Sequence, residues 1–186
     1  MERNKLLDSY ATLEEYIGRS ALSGKQIDKH QERGYYRFIP LTTAYFCELM
    51  DEVDKLTKPR NAVPKFLDIG CGVGTKVVLA ERWFSAFGLE INPGYARIAR
   101  KVFNSSWGHR IIRGNALTFK RYAEFDILYF YCPLRNGSME KAFEQRLARE
   151  AKPGAIVIAC NSQCNDWWAK DSGFKLVAHS CIYQKQ

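Results

Sequence analysis

The chain has 186 residues and a formal net charge of +8, with 46% hydrophobic and 26% charged residues. That balance excludes a disordered segment and suits one domain with its own core. No apolar run approaches the ~20 residues of a spanning helix, and the first thirty residues mix acids with bases and lack an apolar h-region, so neither a membrane span nor a signal peptide is expected and the location reads as cytoplasmic.

In chain order, Leu6, Tyr10, Leu13, Ile17 and Ala21 recur at steps of three or four and predict an N-terminal amphipathic helix. "KQIDKHQERGYYRFIP", Lys25 to Pro40, is polar and then aromatic and reads as a loop. Leu41, Tyr45, Leu49, Val53 and Leu56 predict a second helix, and Lys58 to Pro64 is a proline-bearing connector. The rhythm then changes. "KFLDIG" is a short apolar strand, a helix follows from Thr75 to about Arg82, and "SAFGLEI" is a second strand. Asn92 caps the next helix with Pro93 at its first position. Tyr95, Ile98, Ala99, Val102 and Phe103 form its apolar face, with Arg97, Arg100 and Lys101 opposite. "HRIIRGN" and "FDILYFY" are strands three and four. Ser138 caps a helix buried through Met139, Phe143, Leu147 and Ala151 that stops at Lys152-Pro153-Gly154. "AIVIAC" is the fifth strand, and "FKLVAH" and "CIYQKQ" are two short last ones.

Alternating strand and helix predict an α/β fold: a doubly wound, mostly parallel Rossmann-like sheet with helices on both faces and a short helical N-terminal extension. The whole chain is one domain, with residues 1–57 as extension or lid and 65–186 as the ligand-binding core. The ligand crevice of such a sheet lies past the C-terminal strand ends, which points to loops 70–75, 90–93, 115–118 and 131–138.

Gly70, Gly72 and Gly74 alternate in the first of these loops. Bare backbone before a helix N-terminus lets a ligand approach closely. The dinucleotide pattern G-x-G-x-x-G is not met, because the third glycine comes one residue early and Thr75 takes the sixth position. Asp68 stands two residues before the first glycine, and Glu90 ends the second strand, where an acid can accept from both hydroxyls of a ribose. Taken singly, the glycines could be a tight turn and Glu90 a surface carboxylate.

Together, "FLDIGCGVGT" and "GLEINPGYARIARK" resemble the class I, seven-strand S-adenosylmethionine (SAM) methyltransferases. The likeness continues through "GNALTF", "FDILYFYCPL" and "AKPGAIVI" and covers about Leu41 to Ile158. It implies a methyltransferase with SAM as cofactor and S-adenosylhomocysteine as product. It also implies site residues: Gly70, Cys71, Gly72, Gly74 and Thr75 against the methionine end, with Asp68 accepting from it. Glu90 would take the ribose hydroxyls, Ile91 would lie against the adenine, and Asn115 and Ala116 would meet its edge. The family often has Asp where Asn115 stands.

The loop after the fourth strand would face the acceptor, which marks Tyr131, Cys132 and Pro133 as the catalytic candidates. Enzymes that methylate base amines carry [DN]-P-P-[YFW] there, and Tyr131-Cys132-Pro133-Leu134 shares only one proline with that pattern. A finer resemblance, through "FIPLTTAYFCELM", "GLEINP" and the stretch from Ile127 to Cys160, is to small seven-strand protein-lysine methyltransferases. It implies that Pro40, Thr42 and Thr43 pack over the cofactor and that the acceptor is a protein lysine amine. Cys71 and Val73 depart from that group's glycine loop. The alternatives are an RNA or DNA acceptor, a small molecule, and a non-catalytic SAM- or NAD-binding module. The bases are scattered rather than blocked, so the net charge points only weakly to nucleic acid. Tyr35, Tyr36, Phe38, Tyr129, Phe130 and Tyr131 could guide a lysine stem, though alternate residues of "ILYFY" must face the core. His30, His109 and His179 read as surface or loop residues, and Trp167-Trp168 as cover for the sheet edge. The six cysteines show no CxxC pair and no zinc spacing, so free thiols and no metal are expected.

Overall fold

A computed structural model describes residues 2–59, 61–102, 110–135, 137–162, 164–170 and 172–186. Three helices come first: α1 (Glu2–Ser20), α2 (Gly24–Glu32) and α3 (Thr43–Leu56). Strand and helix then alternate through β1 (Lys65–Ile69), α4 (Thr75–Ala80), β2 (Ser85–Glu90), α5 (Pro93–Val102), β3 (Ile111–Arg113), β4 (Ile127–Tyr131), α6 (Gly137–Glu150), β5 (Ile156–Cys160) and α7 (Asn165–Lys170). A hairpin of β6 (Phe174–Ala178) and β7 (Ile182–Lys185) ends the chain.

The seven strands form one sheet in the order β3-β2-β1-β4-β5-β7-β6. β3, β2, β1, β4 and β5 run parallel, while β7 is antiparallel to both β5 and β6. The strand order reverses between β1 and β4, so their C-terminal ends flank the crevice.

Successive strand residues point to opposite faces, and here both faces are covered, which is why the strands read as unbroken apolar runs. On one face Phe66, Ala86, Ile127, Tyr129 and Ile158 pack under Phe46, Met50 and Val53 of α3 and Val77 of α4. On the other, Leu67, Leu128, Phe130 and Val157 pack under Phe143 and Leu147 of α6 and Trp168 of α7. Trp168 is fully buried, stacks on Tyr183 at 5.6 Å, and donates its indole N–H to the buried Glu144. Ser162 Oγ also donates to Glu144 at 2.7 Å, so one carboxylate ties α6, the end of β5 and α7 together. Among the described residues no helix is long and apolar enough to cross a membrane, and no group of three or more His, Cys, Asp or Glu is placed to hold a metal ion.

Four expectations change. Lys25–Pro40 is not wholly a loop, because α2 occupies its first half, with Gln26 Oε1 accepting from Ser23 N–H at 2.9 Å at the helix start. On α1 the buried face is turned from the expected stripe: Leu6 is 71% and Leu13 55% exposed, while Glu14 is buried at 2%. Ser138 lies inside the first turn of α6 rather than at its cap. The third strand shrinks to three residues, and Phe103 and His109 lie outside the described residues.

Candidate functional site

Glycine conformations fix the loop between β1 and α4. Gly70, Gly72 and Gly74 have φ of 85°, 55° and 81°, in the left-handed region that a side chain disfavours. Gly70 and Cys71 donate their N–H groups to Leu89 O at 2.8 and 3.1 Å, which holds the loop against the end of β2. That brings Glu90 beside it. One carboxylate oxygen accepts Gly72 N–H at 2.9 Å, and the other accepts Asn92 N–H at 2.6 Å. Asn92 Oδ1 in turn caps α5 by accepting Gly94 N–H at 2.8 Å. Glu90 therefore spends one lone pair of each oxygen on the backbone, and of the ~4 lone-pair sites of a carboxylate two remain.

Glu90 and Asp68 are both buried and line one cavity of about 80 Å³ with Gly70, Cys71, Gly72 and Ile91. Burial pushes the Asp68 carboxyl up to about 8, with Glu90 and Glu14 raising it further and Lys76 opposing. Burial likewise pushes Glu90 up to about 7, against the pull of its backbone donors. Among the described residues no donor is hydrogen-bonded to the Asp68 carboxylate. Two acids held this way await cationic or hydroxyl partners.

Glu14 of α1 was not anticipated as a site residue. Lys76 Nζ donates to it at 2.7 Å and Thr75 Oγ1 donates to its other oxygen. Tyr10 OH donates to Thr75 O at 2.6 Å, so α1 is fastened to the start of α4. Thr43, expected over the cofactor, is instead buried beside this pair, where it receives Lys76 Nζ at 3.2 Å, and it does not line the cavity. A buried ion pair tolerates loss of both partners better than loss of one, which leaves an uncompensated charge costing about 3–5 kcal/mol. Glu14→Ala should therefore lower Tm by roughly 10 °C, at about 2–4 °C per kcal/mol for a chain of this size. The Glu14→Leu/Lys76→Met double variant should recover most of that loss in the same thermal melt.

Over the glycine loop lies a strap, residues 34–41. Gly34 O accepts Arg135 N–H at 2.8 Å, and Tyr35 bridges Leu134 in antiparallel fashion. Phe38 N–H donates to Tyr95 OH at 3.1 Å, and its ring sits on the loop so closely that a Cβ at Gly72 would come within 2.5 Å of it. His30, read from the sequence as a surface or loop residue, lies on α2, is half-buried, stacks on Tyr35 at 5.0 Å and lines the cavity. His179 is exposed, edge-on to Tyr45 at 6.1 Å.

Asn115 and Ala116 line a second, smaller cavity with Gly70, Ile91 and Pro133, and Tyr35 stands between the two spaces. Asn115 Oδ1 accepts Leu117 N–H at 2.9 Å, which leaves one lone pair and the amide N–H groups for a ligand. Thr75 lines the main cavity, whereas Gly74 serves the turn, donating its N–H to Cys71 O at 2.8 Å. Tyr131, Cys132 and Pro133 all reach the main cavity from the end of β4. Cys132 has φ 45° and receives Asn161 Nδ2–H at 3.0 Å on its sulfur. Tyr129 and Phe130 are core residues, although Tyr129 also touches the cavity floor.

No family model and no curated protein matches the chain. Solved structures do. An RNA methyltransferase from Salinibacter ruber in complex with S-adenosyl-L-homocysteine is 19% identical, with a TM-score of 0.55 over 79% of this chain and 92% of that one. The SAM-bound amino pentose methyltransferase CalS10 from Micromonospora echinaspora is 21% identical, with a TM-score of 0.52 over 62% of this chain and 48% of that one. The sugar N-methyltransferase KedS8 from Streptoalloteichus is 18% identical, with a TM-score of 0.50 over 72% and 53%. This chain thus spans about half the length of the two sugar enzymes and nearly all of the RNA enzyme. The fold is that of the class I SAM-dependent methyltransferases. The finer likeness to protein-lysine methyltransferases is not shown by these structures, which are sugar and RNA enzymes.

Proposed function

We propose that this protein is a SAM-dependent methyltransferase. The observation that carries the reading is Glu90: a buried carboxylate at the end of β2, tied by backbone donors to the glycine loop, with two lone pairs left for a diol. The residues fit SAM. Glu90 would take the ribose hydroxyls, and Asp68 would face the cationic amino-acid end along the glycine backbone. Ile91, Asn115 and Ala116 would hold the adenine. SAM supplies a sulfonium-activated methyl group when bound; the chain's own task is to position an acceptor and exclude water. The main cavity falls well below the ~300–1,000 Å³ usual for a small-molecule site. Tyr35 and Phe38 of the strap must shift to admit the cofactor, and they can then close over it.

The acid pair sets a pH dependence. Both carboxyls have raised values in the folded protein, so protonation competes with a cationic ligand. SAM affinity should therefore rise as pH increases through about 7 and about 8 and then level off, in calorimetric titrations from pH 6 to 9. The free protein should show the opposite trend. Raised carboxyl values add stability that is fully present below the unfolded values and lost as pH rises through the folded ones, so SAM should raise Tm most at the alkaline end.

For the acceptor we assign a protein lysine amine. Tyr131 borders both the main cavity and a groove of about 360 Å³ lined also by Leu41, Tyr45 and Asn161, and the rings of Tyr45 and Tyr131 would flank a lysine stem entering it. A second reading, an RNA acceptor, draws on Arg135, whose guanidinium lies 5.9 Å over the Tyr36 ring at the mouth, and on the name of the Salinibacter ruber neighbour. Transfer of a labelled methyl group from SAM into cell lysate tests both. Label lost to protease and mapped to lysine supports the first reading. Label lost to nuclease replaces it with the second. Tyr131→Ala should cut turnover about tenfold, a loss of about 1.4 kcal/mol in the transition state, with SAM affinity nearly unchanged. Equal loss in both would place Tyr131 in the cofactor site.

A further inference from the structure

Cys160 ends β5 and Cys181 stands just before β7, and both residues line the groove that Tyr131 and Tyr45 border. Their Sγ atoms are 3.6 Å apart. The two backbones are clamped side by side by the Ala159 N–H bond to Cys181 O at 2.8 Å. A disulfide needs Sγ atoms about 2.05 Å apart. Cys181 stands opposite Ala159, one residue from Cys160, just past the last paired residues of β5 and β7, so the remaining sulfur gap is closed at the open end of that ladder. The pair is also polarised. Tyr45 OH lies 3.9 Å from Cys181 Sγ, and hydrogen bonds from Cys160 and Tyr45 favour the Cys181 thiolate, while the same contact and burial hold Cys160 protonated. The groove gives a small oxidant access to sulfurs whose residues are otherwise buried.

We propose that Cys160 and Cys181 form a peroxide-oxidisable dithiol whose disulfide remodels the groove and lowers methyl transfer, a consequence that rests on the function proposed above. The Cys181 thiolate attacks hydrogen peroxide, the O–O bond breaks, and hydroxide leaves, giving Cys181 sulfenic acid. The Cys160 sulfur then attacks that sulfur, and its proton leaves with the hydroxyl as water. In sum, two thiols and one peroxide give one disulfide and two waters. Thiol reductants reverse the step by exchange.

The test treats the intact protein with hydrogen peroxide, alkylates the remaining thiols in denaturant, and maps peptides without reduction. A Cys160–Cys181 linked peptide is expected to form ahead of any oxidation at Cys132 or Cys164, the two half-buried cysteines. In Cys160→Ser the link disappears and Cys181 sulfenic acid becomes trappable by dimedone. Alkylation of both cysteines while Cys132 or Cys164 oxidises overturns the dithiol, as does a Cys160→Ser pattern identical to wild type. The second arm compares lysate labelling before oxidation, after it, and after dithiothreitol, alongside SAM binding. Loss of labelling that reduction restores, with SAM binding kept, is expected. A formed disulfide with undiminished labelling overturns the control of transfer. Absence of labelling in the reduced protein counts against the function, and the peptide map still decides the dithiol.

Discussion

Glu90→Ala should abolish SAM binding, with an affinity loss of about 100-fold or more in calorimetric titration. A hydrogen bond to a charged group contributes roughly 1.5–3 kcal/mol, and the two lone pairs left on Glu90 would accept two ribose hydroxyls. At about 1.4 kcal/mol per tenfold, losing both removes two orders of magnitude or more. The substitution also strands Gly72 N–H and Asn92 N–H, which Glu90 now satisfies, so part of the loss would come from a loosened loop. Glu90→Gln separates the two effects. It keeps one acceptor oxygen for the backbone but turns an amide N–H₂ toward the other donor. It should bind SAM more weakly than wild type and more tightly than Ala, with the same far-UV circular dichroism as both. If SAM binds equally well to all three, the cofactor lies elsewhere and the methyltransferase reading fails.

The core was legible in the sequence because each central strand is buried on both faces, so it reads as a short apolar run between turn residues. The direction of β7 was not legible: whether a last strand runs with or against its neighbour depends on how the short connection from β6 folds back, and side-chain pattern does not encode that. α2 was missed because Ile27 is the one strongly apolar residue within it, which leaves no stripe for periodicity to detect. Glu14 had a signal that went unread. It falls between Tyr10 and Ile17 at helical spacing, an acid on an otherwise apolar face, and choosing Leu6 and Leu13 as face residues hid it. His30 was missed, and the strap was anticipated only through Tyr35, Tyr36, Phe38 and Pro40, for a different reason. Their role comes from a tertiary contact between residues 34–41 and loops more than thirty positions away, and nothing local marks it. Thr43 shows the reverse error, since a likeness of segments did not specify which way its hydroxyl turns.

The strap contact yields the second large effect. Gly72→Ala should cost stability and SAM affinity together, because the new Cβ must displace the Phe38 ring from 2.5 Å. It also carries the backbone penalty of an L-residue at φ 55°, about 1–2 kcal/mol. Gly154→Ala isolates that penalty: its φ is 75°, and a Cβ there meets nothing within 4 Å. The difference in Tm between the two variants then reports the collision alone, at about 2–4 °C per kcal/mol. Removing the ring should remove the difference, so Phe38→Ala should be less costly in the Gly72→Ala background than in wild type, the non-additivity expected of residues in contact. SAM affinity should track the same cycle, because the strap that Phe38 anchors must seat on the glycine loop to close over the cofactor. Equal Tm losses for Gly72→Ala and Gly154→Ala would mean that the ring does not rest on the loop in solution, and the strap would then lose its role as the cover of the cleft.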